Sequence, residues 1–267
     1  MPELPEMETY KTWLASLIGG RTITNAMIQR EKSINIPAGK FMKAVTNQKI
    51  QSISRCAKYL IFQLENGSCL LLHLMLGGWM FFGKEEDKPD RTIQIQLSFG
   101  DRHLFFIGLR LGYLHLLTPE AVQAAFEKIG PEPLDPHFTL AAFQQRMQQR
   151  RGILKTVLTN QEVLAGIGNR YSDEMLWHAQ LRPDQKAGHL DNQQLARLYE
   201  SIRFILHKGI EQGGYMEHPL HVGDGKTGRY QMYVHGRENE PCPRCSSPIR
   251  KEEISSHKTY FCPRCQY

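Results

Sequence analysis

Met1-Pro2-Glu3-Leu4-Pro5-Glu6 opens the chain, and two readings compete for it. If Met1 is removed, the chain begins with a proline whose free secondary amine sits beside two carboxylates, Glu3 and Glu6. Such an amine can attack an electrophilic carbon and form an iminium, the logic of lysine Schiff bases and N-terminal nucleophiles. An α-amine titrates at about 7.7–8.0, so part of it is unprotonated near neutrality, and an adjacent carboxylate can shuttle protons. In the plainer reading Pro2 and Pro5 start an ordinary N-terminus and Glu6 sits in the first turn of a helix. Six residues alone favour the plainer reading. The next residues predict that helix: Leu4, Met7, Trp13, Leu14, Leu17 and Ile18 recur at roughly helical spacing between Glu3 and Ile18, and Gly19-Gly20 ends it. Pro2 is then fixed at a helix start, and the question becomes whether the rest of the chain brings it an electrophile.

Beyond Thr22 the pattern turns strand-like. Ile23 to Ile28, Ile50 to Ile53, Tyr59 to Leu64, Cys69 to Leu74, Trp79 to Phe82, Thr92 to Ser98, His103 to Ile107 and Tyr113 to Leu117 read as strands. Turn chemistry separates them, as at Glu65-Asn66-Gly67, Gly77-Gly78 and Lys88-Pro89-Asp90. Many short, closely spaced strands indicate a β-sandwich or barrel. After Thr118-Pro119 the character changes. Helices are expected over Glu120 to Lys128, Leu140 to Gln149, Ile153 to Thr159, Ser172 to His178 and Asn192 to Gln212, with Gly130-Pro131-Glu132-Pro133 as a linker. Gly213 to Gly236 reads as a Gly-rich, mobile loop. The expected fold is α+β, in the order β domain (1–118), linker (119–136), helical domain (137–235) and small metal module (236–267).

Composition bounds the function. With 41% hydrophobic and 22% charged residues, the 267-residue chain has the profile of a soluble globular protein. No run approaches the ~18 apolar residues of a spanning helix. Acids at Glu3, Glu6 and Glu8, with no basic-then-apolar signal, argue against secretion, so a cytoplasmic location is expected. The net charge of +6 fits a polyanionic partner. His137 to Gln161 carries Arg146, Arg150, Arg151 and Lys155 and no acid, which is either a solvated helix face or a phosphate-facing strip.

The firmest local signal is Cys242-x2-Cys245, sixteen residues, then Cys262-x2-Cys265. This is the spacing of a four-cysteine zinc site in which two knuckles place four thiolates tetrahedrally around one structural Zn2+. The module is too small to have a core, so the ion supplies its folding energy. Cys56 and Cys69 stand alone in apolar surroundings and read as inert buried thiols. A second signal is Leu164-Ala165-Gly166-Ile167-Gly168-Asn169, a tight turn opening a helix with exposed backbone N–H groups, which suits a phosphate and equally a plain helix corner. A third is Lys58 at a strand entry together with His73 before the Gly77-Gly78 turn. Each alone is more often a surface lysine or a satisfied histidine.

Taken together and in order, these pieces resemble the formamidopyrimidine-DNA glycosylase / endonuclease VIII family over essentially the whole chain: Pro2-Glu3-Leu4-Pro5-Glu6, Lys58, the His73 turn, Arg110, the Gly166-to-Glu174 turn, His235-Gly236-Arg237 and the paired CxxC end. The Pro-Glu-Leu-Pro start is similar to the formamidopyrimidine branch. The resemblance implies an N-terminal helix plus β-sandwich, a helix–two-turn–helix domain and a zinc-finger hairpin, with double-stranded DNA carrying damaged bases or abasic sites in the cleft, no membrane and a monomer. It implies a bifunctional glycosylase and abasic-site lyase. The damaged nucleotide flips out, Pro2 attacks its sugar carbon, and β- and δ-elimination nick the strand. Glu3 would shuttle protons and Glu6 hold the active-site hydrogen bonding. Lys58, His73 and Asn169, with Gly168 before it, would grip phosphates. Lys155 matches a family lysine near the site, and Arg110 would contact the orphaned partner base.

Four departures bear on lesion recognition, one being the Gly-rich loop from Gly213 to Arg229, which is not a clean match to the segment where the family holds oxidised purines. His257, in the run His257-Lys258-Thr259 taken as the finger turn, stands where the family carries a phosphate-binding arginine, so that contact weakens unless Lys258 compensates. Met75-Leu76 replaces Arg-Met, making Leu76 or Met75 the wedge that fills the vacated space. Arg110-Leu111-Gly112-Tyr113 is one residue short and lacks the usual wedge phenylalanine, for which Leu111 or Tyr113 would substitute. Oxidised purines such as 8-oxoguanine and formamidopyrimidines are the favoured substrates. The alternatives are an endonuclease VIII-like enzyme for oxidised pyrimidines and a damaged- or abasic-DNA-binding protein with little glycosylase activity. A zinc-ribbon RNA-binding protein is less favoured, because aromatic-rich RNA motifs are not apparent.

Overall fold

The computed structural model describes residues 1–267 and divides into two compact units. Unit 1 comprises Met1–Glu127 with Gln212–Arg229, and unit 2 comprises Lys128–Glu211 with Tyr230–Tyr267. No helix is long and apolar enough to cross a membrane.

Unit 1 opens with α1 (Leu4–Ile18), followed by β1 (Asn25–Ile28), α2 (Ala38–Val45), β2 (Ile50–Cys56), β3 (Tyr59–Leu64), β4 (Cys69–His73), β5 (Trp79–Gly83), β6 (Ile93–Phe99), β7 (Arg102–Ile107), β8 (Tyr113–Leu117) and α3 (Pro119–Phe126). Two four-stranded antiparallel sheets form, in the orders β1-β6-β7-β5 and β2-β3-β4-β8. Strand periodicity explains the core. Leu60, Phe62 and Leu64 of β3 point inward while Tyr59, Ile61 and Gln63 alternate outward. Met7, Tyr10, Leu14 and Ile18, one stripe of α1, join Leu70 and Leu72 of β4 and Ile95, Leu97 and Phe99 of β6 in the same buried cluster. α1 starts on Glu3, whose N–H donates to Glu6 Oε2 at 2.8 Å in a capping-box arrangement.

All eight expected strands are present, and Ala38–Val45 adds a short helix that the strand-like reading of this region passed over. Residues 213–229, read from sequence as a loop within the span of the helical domain, fold with unit 1. Leu220 is fully buried in the unit 1 core, and its carbonyl accepts Phe82 N–H at 2.6 Å.

In unit 2, α4 (Leu140–Gln148), α5 (Leu154–Thr159), α6 (Asn169–His178) and α7 (Asn192–Glu211) precede a hairpin of β9 (Arg250–Ile254) and β10 (His257–Phe261). Leu195, Leu198, Ile202, Ile205 and Leu206 give α7 its buried face. The finger's own core is small and includes Trp177 of α6 beside Val234, Ile249 and three of the cysteines. The hairpin turn is Ser255-Ser256, both at positive φ (48° and 64°), with His257 paired to Ile254. This is the two-residue loop whose twist suits a hairpin. The turn therefore lies one step before His257-Lys258-Thr259, which are strand residues.

Two loops of unit 1 lean on each other through glycine. Gly108 sits at φ +71°, and a Cβ there would lie 2.0 Å from the Gly77 carbonyl oxygen. Gly108→Ala is therefore expected to cost about 2 kcal/mol or more, lowering the melting temperature by roughly 4–8 °C. Differential scanning calorimetry of the variant checks this.

Candidate functional site

Unit 1 gathers Pro2, Glu3, Glu6 and Lys58 at one end of α1. Glu3 is 2% exposed and Lys58 5%. Lys58 follows Ala57, which takes the left-handed conformation (φ 51°) to close the β2–β3 turn. Burial pulls the Lys58 ammonium below its ordinary range, and the charges of Glu3 and Glu6 oppose that fall. Glu6 also holds the 212–229 segment: Tyr215 N–H donates to Glu6 Oε1 at 3.1 Å. One carboxylate thus fixes both the Glu3 backbone and this loop. The Tyr215 hydroxyl donates to the Met1 carbonyl. With Met1 attached, the Pro2 nitrogen is an amide nitrogen and has no lone pair to offer.

His73 ends β4 in a row of rings that crosses the sheet. Tyr59 on β3 stacks on it at 4.2 Å, and Tyr113 on β8 meets it edge-on at 5.9 Å, in agreement with the strand register. Burial, then the neighbouring Lys58 charge, pushes the His73 imidazole down to about 4. It is neutral at pH 7, so its ring carries one N–H and no positive charge.

Past His73 the chain turns through Met75 (φ 52°) and Gly77 (φ 81°). Leu76 at the tip is 63% exposed, and Leu111, on the neighbouring loop with exposed Arg110, is 61% exposed. Gly112 brings the two loops together, since a Cβ there would lie 2.6 Å from the His73 carbonyl oxygen. Two large apolar side chains are thus held in water on adjoining turns. Tyr113 belongs to the ring row beside His73.

In unit 2, Gly168 caps α6 and Asn169 opens it. The Asn169 amide donates to the Lys258 carbonyl at 2.9 Å, so the turn and the hairpin are joined. Backbone N–H groups at a helix start suit an anion. The His257 ring bonds the Ser255 carbonyl at 2.9 Å, which folds it back over the turn. Lys155 is fully buried, and its ammonium donates to the Asn169 carbonyl (2.7 Å), Ser172 Oγ (2.8 Å) and Asp173 Oδ1 (2.5 Å). Here Lys155 acts from beneath the turn by holding the first residues of α6.

Sequence reading overlooked Asp173 and Glu174 as separate actors. Asp173 Oδ2 also receives the His235 ring (2.6 Å) and Tyr260 N–H (3.2 Å). Glu174 is enclosed and accepts the N–H groups of Tyr233, Val234 and His235 at 2.6–2.9 Å. Burial pushes its carboxyl above the usual range, against the pull of those three donors. Two consecutive acids at the end of a turn motif were the available signal, and only the fold shows which donors they collect.

The four cysteine sulfurs lie within 4.8 Å of one another, with Cys242–Cys265 at 3.9 Å and Cys245–Cys262 at 3.5 Å. Thiolates ~2.3 Å from a shared ion in a tetrahedron are separated by about 3.8 Å, so the set fits a four-coordinate metal. Trp177 Nε1–H donates to Cys242 Sγ at 3.3 Å, and Arg244 lies over the same indole at 4.4 Å.

Two predictions follow from these environments. The unfolded chain protonates a histidine below about 6.5, whereas folded His73 does so only near 4. The unfolded state then holds more protons between those values, and stability falls as pH drops through that window. Urea unfolding at pH 7 and pH 5 should show a smaller acid loss in His73→Gln than in the native protein. Trp177→Phe removes the N–H···S contact and should weaken metal retention about tenfold, measured by competition with a chromophoric chelator.

Comparison with known proteins matches these features along the chain. Residues 1–113 match the formamidopyrimidine-DNA glycosylase N-terminal domain, 129–218 the H2TH domain of the same enzyme, and 239–266 the zinc finger found in FPG and IleRS. The formamidopyrimidine-DNA glycosylase of Chloroflexus aurantiacus is 35% identical over 100% of this chain and 98% of its own length. That of Heliobacterium modesticaldum is 36% identical over 100% of both. Among solved structures, Lactococcus lactis Fpg in complex with DNA containing N7-benzyl-Fapy-dG superposes with a TM-score of 0.92 at 32% identity, covering 99% of each chain. The same enzyme bound to abasic-site DNA gives 0.92 at 31%, also over 99% of each. A buried Pro2-Glu3-Glu6-Lys58 end, a glycine-opened α6 tied to a hairpin and a four-thiol metal site thus occur on a chain matched along nearly its whole length, and the protein is a member of the formamidopyrimidine-DNA glycosylase family, an enzyme of DNA repair.

Proposed function

We propose that this enzyme excises oxidised bases, purines such as 8-oxoguanine and formamidopyrimidines first among them, from double-stranded DNA and then nicks the abasic site. The observation that carries the reading is the burial of Glu3 and Lys58 around Pro2. Enclosing a carboxylate and an ammonium is costly, and a reaction that passes protons beside a nucleophilic amine uses both.

The chemistry runs from the Pro2 nitrogen after Met1 is removed. Its lone pair forms a bond to C1′ of the everted nucleotide. The glycosidic C–N bond breaks, and its electrons leave with the base, which takes up a proton. Loss of the proton on the Pro2 nitrogen and opening of the C1′–O4′ bond, with O4′ protonated, give the iminium. Removal of a C2′ proton then expels the 3′ phosphate, and a second elimination expels the 5′ phosphate. Glu3 carries protons in these steps. Glu6 holds the Glu3 backbone in place. Lys58, neutral His73 and the Gly168–Asn169 turn bind backbone phosphates, with His257 and Lys258 on the finger. Leu76, from the Met75-Leu76 turn, and Leu111 wedge the stack, and Arg110 meets the partner base. The four cysteines hold Zn2+, which stiffens the hairpin and takes no part in the chemistry.

Borohydride trapping on an abasic-site duplex and on a lesion panel tests this. A covalent adduct is expected with processed protein, and Pro2→Gly should lose it by at least about 100-fold, the scale of removing a catalytic nucleophile. Protein with a verified N-terminal proline that traps on no substrate would instead be a damaged-DNA binder. Preferential release of thymine glycol or dihydrouracil would place it with enzymes for oxidised pyrimidines, a reading the altered wedge residues favour.

A further inference from the structure

The phenol of Tyr215 has no place in the scheme above, yet it reaches the chain's first peptide. Its hydroxyl donates to the Met1 carbonyl oxygen, and that oxygen is two covalent bonds from the Pro2 nitrogen. The phenol is not held there by this contact alone. Its own N–H is bound by Glu6. Gly214, at φ +70°, passes so close under Glu6 that a Cβ would lie 2.2 Å from Oε1. Downstream, Gly228 N–H and Arg229 N–H pair back to the carbonyls of Gly213 and Gln212 at 3.0 and 3.1 Å, and Leu220 is buried in the core. When Met1 departs, the acceptor leaves and the clamp stays.

We propose that Tyr215 is a positioning residue for the Pro2 amine, its hydroxyl donating to the nitrogen lone pair once Met1 is gone. The inference rests on the Pro2 chemistry proposed above. Its effect is electrostatic. The other charged and titratable groups at this end are Glu3, Glu6 and Tyr10 on α1, Lys58 on the β2–β3 turn, and Asp224 of the same loop. Carboxylates favour the protonated amine, which cannot attack, whereas a neutral O–H donor favours the unprotonated form. Tyr215 thus offsets Glu3 and Glu6, keeping part of the amine nucleophilic near neutrality, and the bond is given up as the nitrogen turns to carbon.

The test is single-turnover borohydride trapping on an abasic-site duplex from pH 5.5 to 9.5, at saturating protein, with loss of Met1 verified by mass spectrometry. An abasic site removes base departure from the measurement. Tyr215→Phe keeps the ring, the backbone N–H and the loop glycines, and its melting curve verifies folding. The variant should trap about three- to tenfold more slowly at pH 7, with the rising limb moved alkaline by about half to one unit and the same plateau rate at high pH. An unchanged profile, an acid shift, or equal slowing at every pH (a packing role) overturns the inference while native trapping leaves the Pro2 chemistry standing. Failure of the native, processed protein to trap overturns both.

Discussion

A carboxylate taken out of water must be given donors, and both units of this protein are organised by that constraint. In unit 1, Glu6 accepts the N–H groups of Glu3 and Tyr215, more than two hundred residues apart in sequence. In unit 2, Asp173 and Glu174 collect Lys155, His235, three consecutive N–H groups from Tyr233 to His235, and Tyr260. Hydrogen bonds to a charged group contribute about 1.5–3 kcal/mol each, and a buried acid left unmatched costs more than one bond. Such a group does more than stabilise. It also helps specify which distant segments arrive together, because part of its donor set comes from residues far away in sequence. The elements so held are the chain start, the 212–229 loop, the opening of α6 and the finger, and each carries proposed site residues.

Apolar exposure is the complementary device. Leu76 and Leu111 stand in water on turns flanked by Gly77 and Gly108, both at positive φ, with no room for a Cβ at Gly108. Keeping a leucine exposed forgoes about 1.5–3 kcal/mol of burial apiece. In the proposed function that free energy is recovered when the side chain enters a base stack, where it would offset part of the cost of unstacking and everting a nucleotide. Rigid turns matter here, since a floppy loop would fold its leucine back onto the protein.

Much of this was legible in the sequence because it is local. The eight strands followed from alternation and turn residues, α1 from helical spacing, and the metal module from cysteine spacing alone. The Pro2-Glu3-Glu6 end and the Gly168–Asn169 turn were visible as motifs. What escaped depends on contacts distant in sequence. Nothing in residues 213–229 announces that Leu220 completes the core of the N-terminal sandwich. Lys155 lies in a basic run that reads as a phosphate strip, but an acid eighteen residues later draws it inward. The hairpin turn is Ser255-Ser256, where the paired positive φ values lie, and not His257-Lys258-Thr259, because serines carry no sequence signal for a left-handed turn as glycine or asparagine would.

The finger shows how a metal site bears on the turn that opens α6 within the same unit. The ion's four sulfurs hold β9 and β10 in a segment with little core of its own, and that core is completed by Trp177 from α6. From the hairpin, the Lys258 carbonyl holds the Asn169 amide and Tyr260 N–H meets Asp173, the acid that pins Lys155 under the start of α6. The Gly168–Asn169 turn and the metal module therefore share one hydrogen-bonded network. Loosening the sulfur cage releases β10, frees the Asn169 side chain and leaves Asp173 short of a donor, which a buried acid resists by rearranging its surroundings. The four-cysteine site and the Gly168–Asn169 turn of unit 2 are in this sense a single mechanical element, and in the proposed function its rigidity sets how firmly that turn presents its N–H groups to a phosphate.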